Sequence, residues 1–271
     1  MASLPNHHVF LRKLLSKKVL IIGGTTGVGF SVARAVLEYG GIAIISGSTP
    51  SRLLSAEDSL RSLYPDIPAT RVAGKLANLS DPATCEAQIV DLLDYAVQAG
   101  INDQRIDHVV FTAGDTFALV PLKESSAENV LKIAQVRYTA AAILAKYLVD
   151  DKYIAAGPEA SLTLTAGSGA TKPFGRDWAL IAGMGAGMEG LVRGLAIDLA
   201  PIRVNLVVLG LVETDMVRDR YGKDGIAYMV SQTLVGKVAK PEDVAEAYLY
   251  CMKDQFVTGK VLSTDGGRLL V

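Results

Sequence analysis

The fold of this 271-residue chain is decided by one stretch near its N-terminus, Val19-Leu20-Ile21-Ile22-Gly23-Gly24-Thr25-Thr26-Gly27-Val28-Gly29. An apolar run, typical of a buried strand, leads here into a glycine-rich turn that opens a helix. Glycine is required where backbone must approach a pyrophosphate closely, because any Cβ would obstruct it, and the free N–H groups of the helix then attract the phosphates. The stretch predicts a nucleotide site; the alternative is a tight turn without a ligand.

Apolar runs and helical patterns alternate along the rest of the chain. Strands are predicted at 18–22, 42–45, 70–74, 108–111, 161–165, 203–208 and 261–262, and helices at 30–39, 51–63, 82–99, 127–149, 185–199 and 241–252. Apolar strands separated by helices are typical of a parallel sheet covered on both faces. The sequence therefore predicts an α/β fold, a doubly wound parallel sheet of about seven strands. Without an internal repeat or linker, residues 1–271 are expected to form a single domain.

Composition excludes several classes of function. The net charge is −1 and the basic residues are scattered, so no field exists to hold nucleic acid. Cys85 and Cys251 are too few for a disulfide framework or a zinc site, and we expect buried thiols and no metal. No run approaches the roughly 20 apolar residues of a membrane helix. A cytoplasmic protein that binds neither membrane nor nucleic acid is expected.

The spacing of Gly23, Gly27 and Gly29 is similar to that of the short-chain dehydrogenase/reductase family. Further motifs that resemble the family are Asn78-Leu79-Ser80-Asp81, Thr112-Ala113-Gly114, Ile202-Arg203-Val204-Asn205, Gly210-Leu211-Val212-Glu213-Thr214 and Asp265-Gly266-Gly267. The resemblance spans nearly the whole chain. It implies a Rossmann-type fold, a nicotinamide cofactor and a substrate lid at about 213–235.

The choice of cofactor is read at the end of the second strand, in Ser46-Gly47-Ser48-Thr49-Pro50-Ser51-Arg52. An acidic residue would accept from a ribose 2′-OH and repel a 2′-phosphate, and none is present. Hydroxyls and Arg52 fit a phosphate through charge-assisted bonds, which favours NADP(H) over NAD(H); Arg52 as a solvated helix residue is the alternative. The predicted cofactor residues are Gly23, Thr25, Thr26, Gly27, Val28, Gly29, Ser46, Ser48, Arg52, Asn78, Leu79, Thr112, Ala113, Gly114, Gly210, Val212 and Thr214.

The family's usual catalyst has no counterpart in this sequence. The family pattern uses a Tyr as proton donor, a Lys four residues later, a Ser and a supporting Asn. Alignment with it places the Tyr and Lys positions at Ile181 and Gly185, and the Asn position at Arg137. The Ser position falls on about Ala166. No Tyr in the chain is followed four residues later by Lys.

Four residues near the expected pocket are candidates for the chemistry. Arg137 lies in an apolar helix, where it would face the active site, or else form a salt bridge or interface contact. Asp177 is a candidate proton donor or partner of a cationic substrate, unless it is a surface carboxylate. Trp178 would stack on a flat ligand or fill the vacated Tyr pocket as core. Ser168 would hydrogen-bond the substrate, or merely cap a turn.

The combination resembles a divergent fungal branch of the family. Its members carry the sequence found here at Phe111–Asp115 and an Arg at the Asn position. Some act in indole-alkaloid biosynthesis, in the malbrancheamide and paraherquamide pathways, where they bind NADP(H), reduce an iminium-type intermediate and guide an intramolecular Diels–Alder closure. Their Pro-Asp-Pro-Gly-Trp loop differs from Pro173-Phe174-Gly175-Arg176-Asp177-Trp178, so their substrate does not transfer to this chain.

The resemblance implies an NADP(H)-dependent, catalytically atypical reductase of secondary metabolism. Its substrate would be a bulky organic molecule with an activated iminium, imine or enone bond. Two versions stay open: simple reduction, and reduction coupled to cyclisation. A redox-neutral cyclase or isomerase of Diels–Alderase type that retains NADP in its pocket is one alternative; a non-catalytic NADP-binding protein is another. As in the family, a homodimer or homotetramer is expected, with small residues such as Ala140 and Gly187 permitting close helix approach.

Overall fold

In a computed structural model that describes residues 8–100, 104–114 and 119–271, the chain forms one parallel sheet. Its strands are β1 (Lys18–Ile22), β2 (Ile42–Gly47), β3 (Val72–Leu76), β4 (His108–Phe111), β5 (Ser161–Gly167), β6 (Arg203–Leu209) and β7 (Val261–Thr264). Their order is β3-β2-β1-β4-β5-β6-β7. The chain crosses from one side of β1 to the other between β3 and β4, which opens a crevice at the carboxyl ends of the strands.

Helices cover both faces of the sheet. They are α1 (Gly27–Glu38), α2 (Pro50–Leu63), α3 (Pro82–Gln98), α4 (Ala127–Ala134), α5 (Ala141–Leu148), α6 (Ala179–Asp198), α7 (Asp215–Ser231) and α8 (Pro241–Lys253). Short 3₁₀ turns lie at Ala69–Arg71, Leu122–Glu124, Ser168–Ala170 and Arg268–Leu270. The predicted seven-stranded, doubly wound, single-domain α/β fold is confirmed.

The core follows from the alternation of side chains along the strands. In β1, Leu20 and Ile22 point to the layer of α3, α5 and α6, whereas Val19 and Ile21 point to the layer of α1, α2 and α8. All four are essentially inaccessible to solvent. A strand that is buried on both faces is apolar along most of its length, which is why the continuous run at 19–22 marks the centre of the sheet.

Two elements differ from the sequence prediction in ways that affect the site. The helix predicted from 127 to 149 is interrupted by a π-helical turn, Gln135–Ala140, between α4 and α5. The helix predicted from 185 begins at Ala179, so that Ile181 and Gly185 both lie within its first two turns. β3 is also displaced, beginning at Val72 rather than 70, because 69–71 form a 3₁₀ turn.

Candidate active site

The glycine turn is wedged between the ends of two strands. The N–H groups of Gly23 and Gly24 donate to the carbonyl of Ser46 at 2.9 and 3.0 Å. Gly23 has φ +90, and a Cβ there would lie 2.5 Å from the Ala113 nitrogen after β4. No side chain fits between these strands, so backbone alone faces the crevice at this point.

The first turn of α1 is open to an anion. Its N-cap residue, Thr26, makes no side-chain capping bond, and the turn contains no acidic residue. By contrast, α3 is capped by Asp81, whose carboxylate accepts from the Ala83 N–H at 3.0 Å. An uncapped N-terminus with a positive dipole end favours a phosphate. Thr214 faces this helix N-terminus, since its Cγ2 would lie 3.0 Å from a Cβ at Gly27.

A cavity of about 630 Å³ runs along the carboxyl ends of the strands. Every residue predicted to bind the cofactor lines it, from the glycine turn through Asn78 and Thr112 to the loop at 210–214. The fold therefore brings together five segments that are far apart in sequence. Their contact with a cofactor stays a prediction, but a cofactor could contact all of them only if they lined one cavity, as they do.

The end of β2 carries an unfilled hydrogen-bonding group. Ser46 is completely buried in the cavity wall, and its Oγ has no hydrogen-bond partner. Ser48 and Arg52 line the same end, and a second recess of about 360 Å³ beside it is bordered by Thr25, Arg52 and Ser55. An unpaired buried hydroxyl is destabilising, and a ligand oxygen would satisfy it. These groups fit a phosphorylated dinucleotide.

Arg137 lies in the cavity wall on the π-helical turn. Its guanidinium covers Gly114, where a Cβ would overlap the Cζ, Nε and Nη2 atoms. The turn is fixed to the segment after β3, because the Gln135 side chain donates to the Leu79 carbonyl at 3.1 Å. π-Helical turns occur frequently at functional sites. A sequence pattern does not reveal this turn, although the cation in an apolar helix directed attention to it.

Ser168 and Trp178 both adjoin Gly169 in the wall, the first along the chain and the second in space. Ser168 is buried, and its Oγ has no hydrogen-bond partner. The Trp178 ring packs against Phe174 with centroids 4.9 Å apart. A Cβ at Gly169 would lie 2.7 Å from Trp178 Cζ3. Trp178 is thus buried as a core residue and also lines the cavity; its stacking on a flat ligand stays a prediction.

Asp177 does not take the place predicted for it. Its side chain is exposed and does not belong to the cavity wall. Gly175 at φ +155 and Asp177 at φ +65 turn the loop, so that Trp178 faces inward and Asp177 faces solvent. Because Asp177 and Trp178 are neighbours in sequence, a shared pocket was expected. The left-handed backbone of Asp177 instead directs the two side chains to different sides of the loop. Asp115, the last residue of the Phe111–Asp115 motif, lies outside the described residues.

Sequence reasoning named Ile181 and Gly185 as the positions of the family's Tyr and Lys but missed Met184 and Met188 in the same wall. Ile181, Met184, Gly185 and Met188 line the cavity from one face of α6, with the i, i+3, i+4, i+7 spacing of a helix. Tyr221 lines it from α7, next to a break in that helix at Gly222 (φ 58, ψ −173). The helical spacing was legible once α6 is taken to begin at 179.

The wall carries few ionisable groups. In the described part of the lining these are Arg52, Arg137, Asp215, Asp219 and Tyr221. Behind it, the Tyr248 hydroxyl and Thr165 Oγ1 form a buried hydrogen bond of 2.8 Å. Burial raises the pKa of Tyr248, while its Thr165 bond and the Arg137 cation act in the opposite direction. Within residues 8–100, 104–114 and 119–271, no cluster of three or more His, Cys, Asp or Glu side chains could hold a metal ion.

Comparison with known proteins agrees with this geometry. The model of the SDR-like Rossmann domain matches residues 10–271. The chain belongs to the short-chain dehydrogenase/reductase family. It is 43% identical, over 95% of its length and 96% of the relative's, to short-chain dehydrogenase/reductase malC of Malbranchea aurantiaca. It is 34% identical to short-chain dehydrogenase/reductase fsr5 of Gibberella fujikuroi, over 96% of this chain and 97% of the relative. The protein is accordingly an oxidoreductase of the short-chain type.

Solved structures of the family superimpose closely. The MalC reductase/Diels-Alderase of Malbranchea aurantiaca matches with a TM-score of 0.89 at 42% identity, over 96% of this chain and 99% of that one. A short-chain dehydrogenase of Burkholderia cenocepacia in complex with NADP matches with a TM-score of 0.78 at 22% identity, over 94% and 99% of the two chains. The second likeness shows the fold alone.

Proposed function

We propose that this protein is an NADP(H)-dependent reductase of secondary metabolism, acting on a bulky organic substrate with an activated C=N or C=C bond. The observation that carries the proposal is the continuity of the cavity. The groups that fit a dinucleotide and a largely apolar chamber bordered by Trp178, Met184 and Met188 share one space. Such a chamber accommodates a large, mostly apolar ligand beside the cofactor.

Different segments of the chain bind different parts of the cofactor. The glycine turn and the uncapped start of α1 receive the pyrophosphate, and Ser46, Ser48 and Arg52 receive the 2′-phosphate. The loop at 210–214 borders the nicotinamide side. When bound, the cofactor supplies a hydride donor.

Ile181 and Gly185 point to a substrate that is already activated. They line the cavity at the positions that the family resemblance assigns to Tyr and Lys. Neither side chain can donate a proton, so reduction of an ordinary ketone lacks its general acid. An activated bond needs a hydride and correct orientation instead. Arg137 supplies orientation, because a guanidinium binds a carbonyl oxygen and stabilises negative charge that develops on it.

Redox-neutral cyclisation is the second candidate function. It is favoured by the similarity to MalC, a reductase/Diels-Alderase. Cycloaddition needs shape and proximity, and a held near-attack geometry can lower a barrier by as much as about 7–11 kcal/mol. The apolar chamber supports either reaction.

The two functions are separated by stoichiometry. Purified protein receives bulky cyclic enones or imines with NADPH, with NADP⁺ or without cofactor, while NADPH absorbance and products are followed together. A reductase consumes one NADPH for each product molecule. Product without consumption of NADPH contradicts the reductase and supports the cyclase. No product with any substrate, together with strong thermal stabilisation by NADP⁺, supports a non-catalytic binding protein.

We further propose a cytoplasmic homodimer or homotetramer. By length and composition alone, α6 is the one described helix that could cross a membrane, yet one side of it packs on the sheet through Met188 and Val192. Its opposite side exposes Gly183, Gly190 and Gly194, whose Cβ positions have no neighbour within 4 Å. A second copy of this chain is the partner that such a flat face admits. Sedimentation analysis tests it, and a monomer at all concentrations contradicts it.

A further inference from the structure

The C-terminal turn directs one arginine into the protein interior. Gly266 and Gly267 adopt φ +66 and +79, and the Asp265 carboxylate accepts from the Gly267 N–H at 2.9 Å. The Gly266 carbonyl accepts from the Leu234 N–H at 2.8 Å, which fastens the turn to the segment after α7. The turn therefore fixes the direction of the next residue, Arg268, which is only 4% exposed.

The guanidinium of Arg268 is held by an aromatic ring. Its Cζ lies 3.6 Å from the centre of the Phe174 ring. Its Nε and Nη1 atoms are buried without hydrogen-bond partners. Burial lowers the pKa of Arg268, and Asp265, Tyr228 and Tyr221 oppose that shift. A buried arginine with unpaired donors is unfavourable unless another contact offsets it, and the stacked ring is that contact.

Phe174 transmits the contact to the cavity wall. Its ring lies 4.9 Å from that of Trp178, tilted by 45°. Both rings press on Gly169, where a Cβ would lie 2.7 Å from Trp178 and 3.2 Å from Phe174. Arg268 thus contacts Phe174, and Phe174 contacts Trp178. Trp178 lies near Ser168 and Gly169 in the cavity wall.

We propose that Arg268 is a positioning residue for the Trp178 wall, and that this wall receives a flat aromatic or conjugated ring of the substrate. The ring-binding part rests on the proposed function; the positioning part stands on the stack alone. Arg268 lies behind Phe174 and outside the cavity lining, so it acts through the two rings and not on the substrate. A cation over a ring attracts it most strongly where both are shielded from water, as here.

The sole tryptophan makes the positioning directly observable. Because Trp178 is the only tryptophan of the chain, its emission reports on this wall without a contribution from any other. In Arg268→Met, the side chain keeps much of its length but loses its charge and its planar stack. We expect a red-shifted emission and stronger acrylamide quenching, with kcat/KM for a substrate with a conjugated ring lowered about tenfold, mainly through KM. The affinity for NADPH is expected to stay within about twofold, because Arg268 lies outside the cavity lining.

Two further variants complete the test. Arg268→Lys keeps the cation without the planar stack and is expected to restore part of the wild-type emission. Arg176→Met makes the same exchange at an exposed position of the loop that carries Phe174 and Trp178. It is expected to change neither the Trp178 emission nor kcat/KM.

The outcomes separate this inference from the proposed function. Unchanged Trp178 emission and quenching in a folded Arg268→Met protein overturn the positioning role, whatever the activity. A shifted emission in a protein that reduces no substrate supports the positioning role and contradicts the reductase. A shifted emission with equal kcat/KM for flat and non-flat substrates overturns the ring-binding part. If Arg268→Met fails to fold, Phe174→Leu removes the same stack, and unchanged emission in that variant overturns the proposal.

Discussion

Ser46, Ser48 and Arg52 present hydroxyls and a cation at the end of β2, where a carboxylate would favour an unphosphorylated ribose. Arg52→Gln removes the cation while keeping a polar side chain of similar reach. We expect the Kd for NADPH to rise about tenfold or more, since a charge-assisted bond to phosphate contributes roughly 1.5–3 kcal/mol. The Kd for NADH should stay the same. Titration of cofactor fluorescence measures both.

The matched control for Arg52 lies on the same helix. Arg61 is a partly exposed residue of α2 that pairs with Glu57 at 3.0 Å and does not belong to the cavity wall. Arg61→Gln should leave both affinities unchanged. Equal losses of NADPH and NADH affinity in Arg52→Gln would show that Arg52 supports the loop rather than binding a 2′-phosphate.

At the substrate end, Arg137 and Asp177 form a natural pair of tests. Arg137 lines the cavity, whereas Asp177 is exposed outside it. Arg137→Met should lower kcat/KM about a hundredfold, the effect of removing one preorganised donor. Asp177→Asn should change kcat/KM less than about twofold, because surface substitutions rarely perturb a distant site. Steady-state kinetics at saturating NADPH measures both. The reverse order of effects would return Asp177 to the mechanism.

Sequence could predict which residues share the cavity wall but not the orientation of Asp177, and the reason is physical. A glycine turn next to a buried strand leaves few possible backbone paths, so Gly23 and Gly27 are confined to one wall. Asp177 and Trp178 follow each other in an irregular loop, where a single left-handed residue reverses the side-chain direction. Asp tolerates a left-handed φ better than most residues, but nothing in Pro173–Trp178 requires one at position 177.

Among the elements, β6 and α8 are joined by one buried arginine. The Arg203 guanidinium donates to the Met252 carbonyl at 3.0 Å, to the Cys251 carbonyl at 2.5 Å and to the Pro158 carbonyl at 2.6 Å. It thereby satisfies the last carbonyls of α8 and complements the negative end of the helix. Burial lowers the pKa of Arg203, and the nearby Asp254 and Glu159 act in the opposite direction.

Arg203→Met should lower the free energy of unfolding by about 3–5 kcal/mol, because several buried carbonyls lose their donor at once. Urea unfolding measures the loss. The affinity for NADPH at low temperature should be kept, since Arg203 begins β6 at the end of the sheet away from the cavity. Arg105→Met, which removes an exposed pair with Asp151, should change stability by less than about 1 kcal/mol. An equally small loss in Arg203→Met would contradict the bridging role.

Element boundaries were predictable where apolar pattern and turn residues agree. β1 and β4 begin and end as predicted, because in each a single polar residue, Lys18 or His108, leads into a short apolar run. The start of α6 was not predictable, since its N-cap residue, Trp178, provides no side-chain capping bond. The π-helical turn at Gln135–Ala140 was not predictable either, because it contains no glycine or proline and its N-cap residue makes no side-chain bond.

Across the whole molecule, the sheet separates two polar regions. The cavity lies at the carboxyl ends of the strands, whereas buried charged and polar side chains gather at the amino ends. There Lys17 pairs with Asp107 at 2.7 Å, and His108 Nδ1 lies 2.9 Å from Ser161 Oγ. In a parallel sheet the amino ends of all strands lie at one edge and the carboxyl ends at the other. The same topology therefore gathers the predicted cofactor residues at one edge and these residues at the opposite edge. Their function is stability, so pH should act on the fold through this end.

His108 should make the protein sensitive to mild acid. Burial, with the nearby cations of Arg203 and Lys17, lowers the pKa of His108 to about 3, whereas an unfolded histidine has a pKa of about 6.5. Between these values the unfolded chain binds a proton that the folded chain refuses, so stability is complete above about pH 6.5 and falls as pH decreases. From about pH 7 to pH 5 the free energy of unfolding should fall by about 2 kcal/mol on account of this group. Urea unfolding at each pH measures the slope, and His108→Gln should abolish most of it. His7 and His8 adjoin near the N-terminus and remain in that variant, so an unchanged slope would assign the acid sensitivity to groups other than His108.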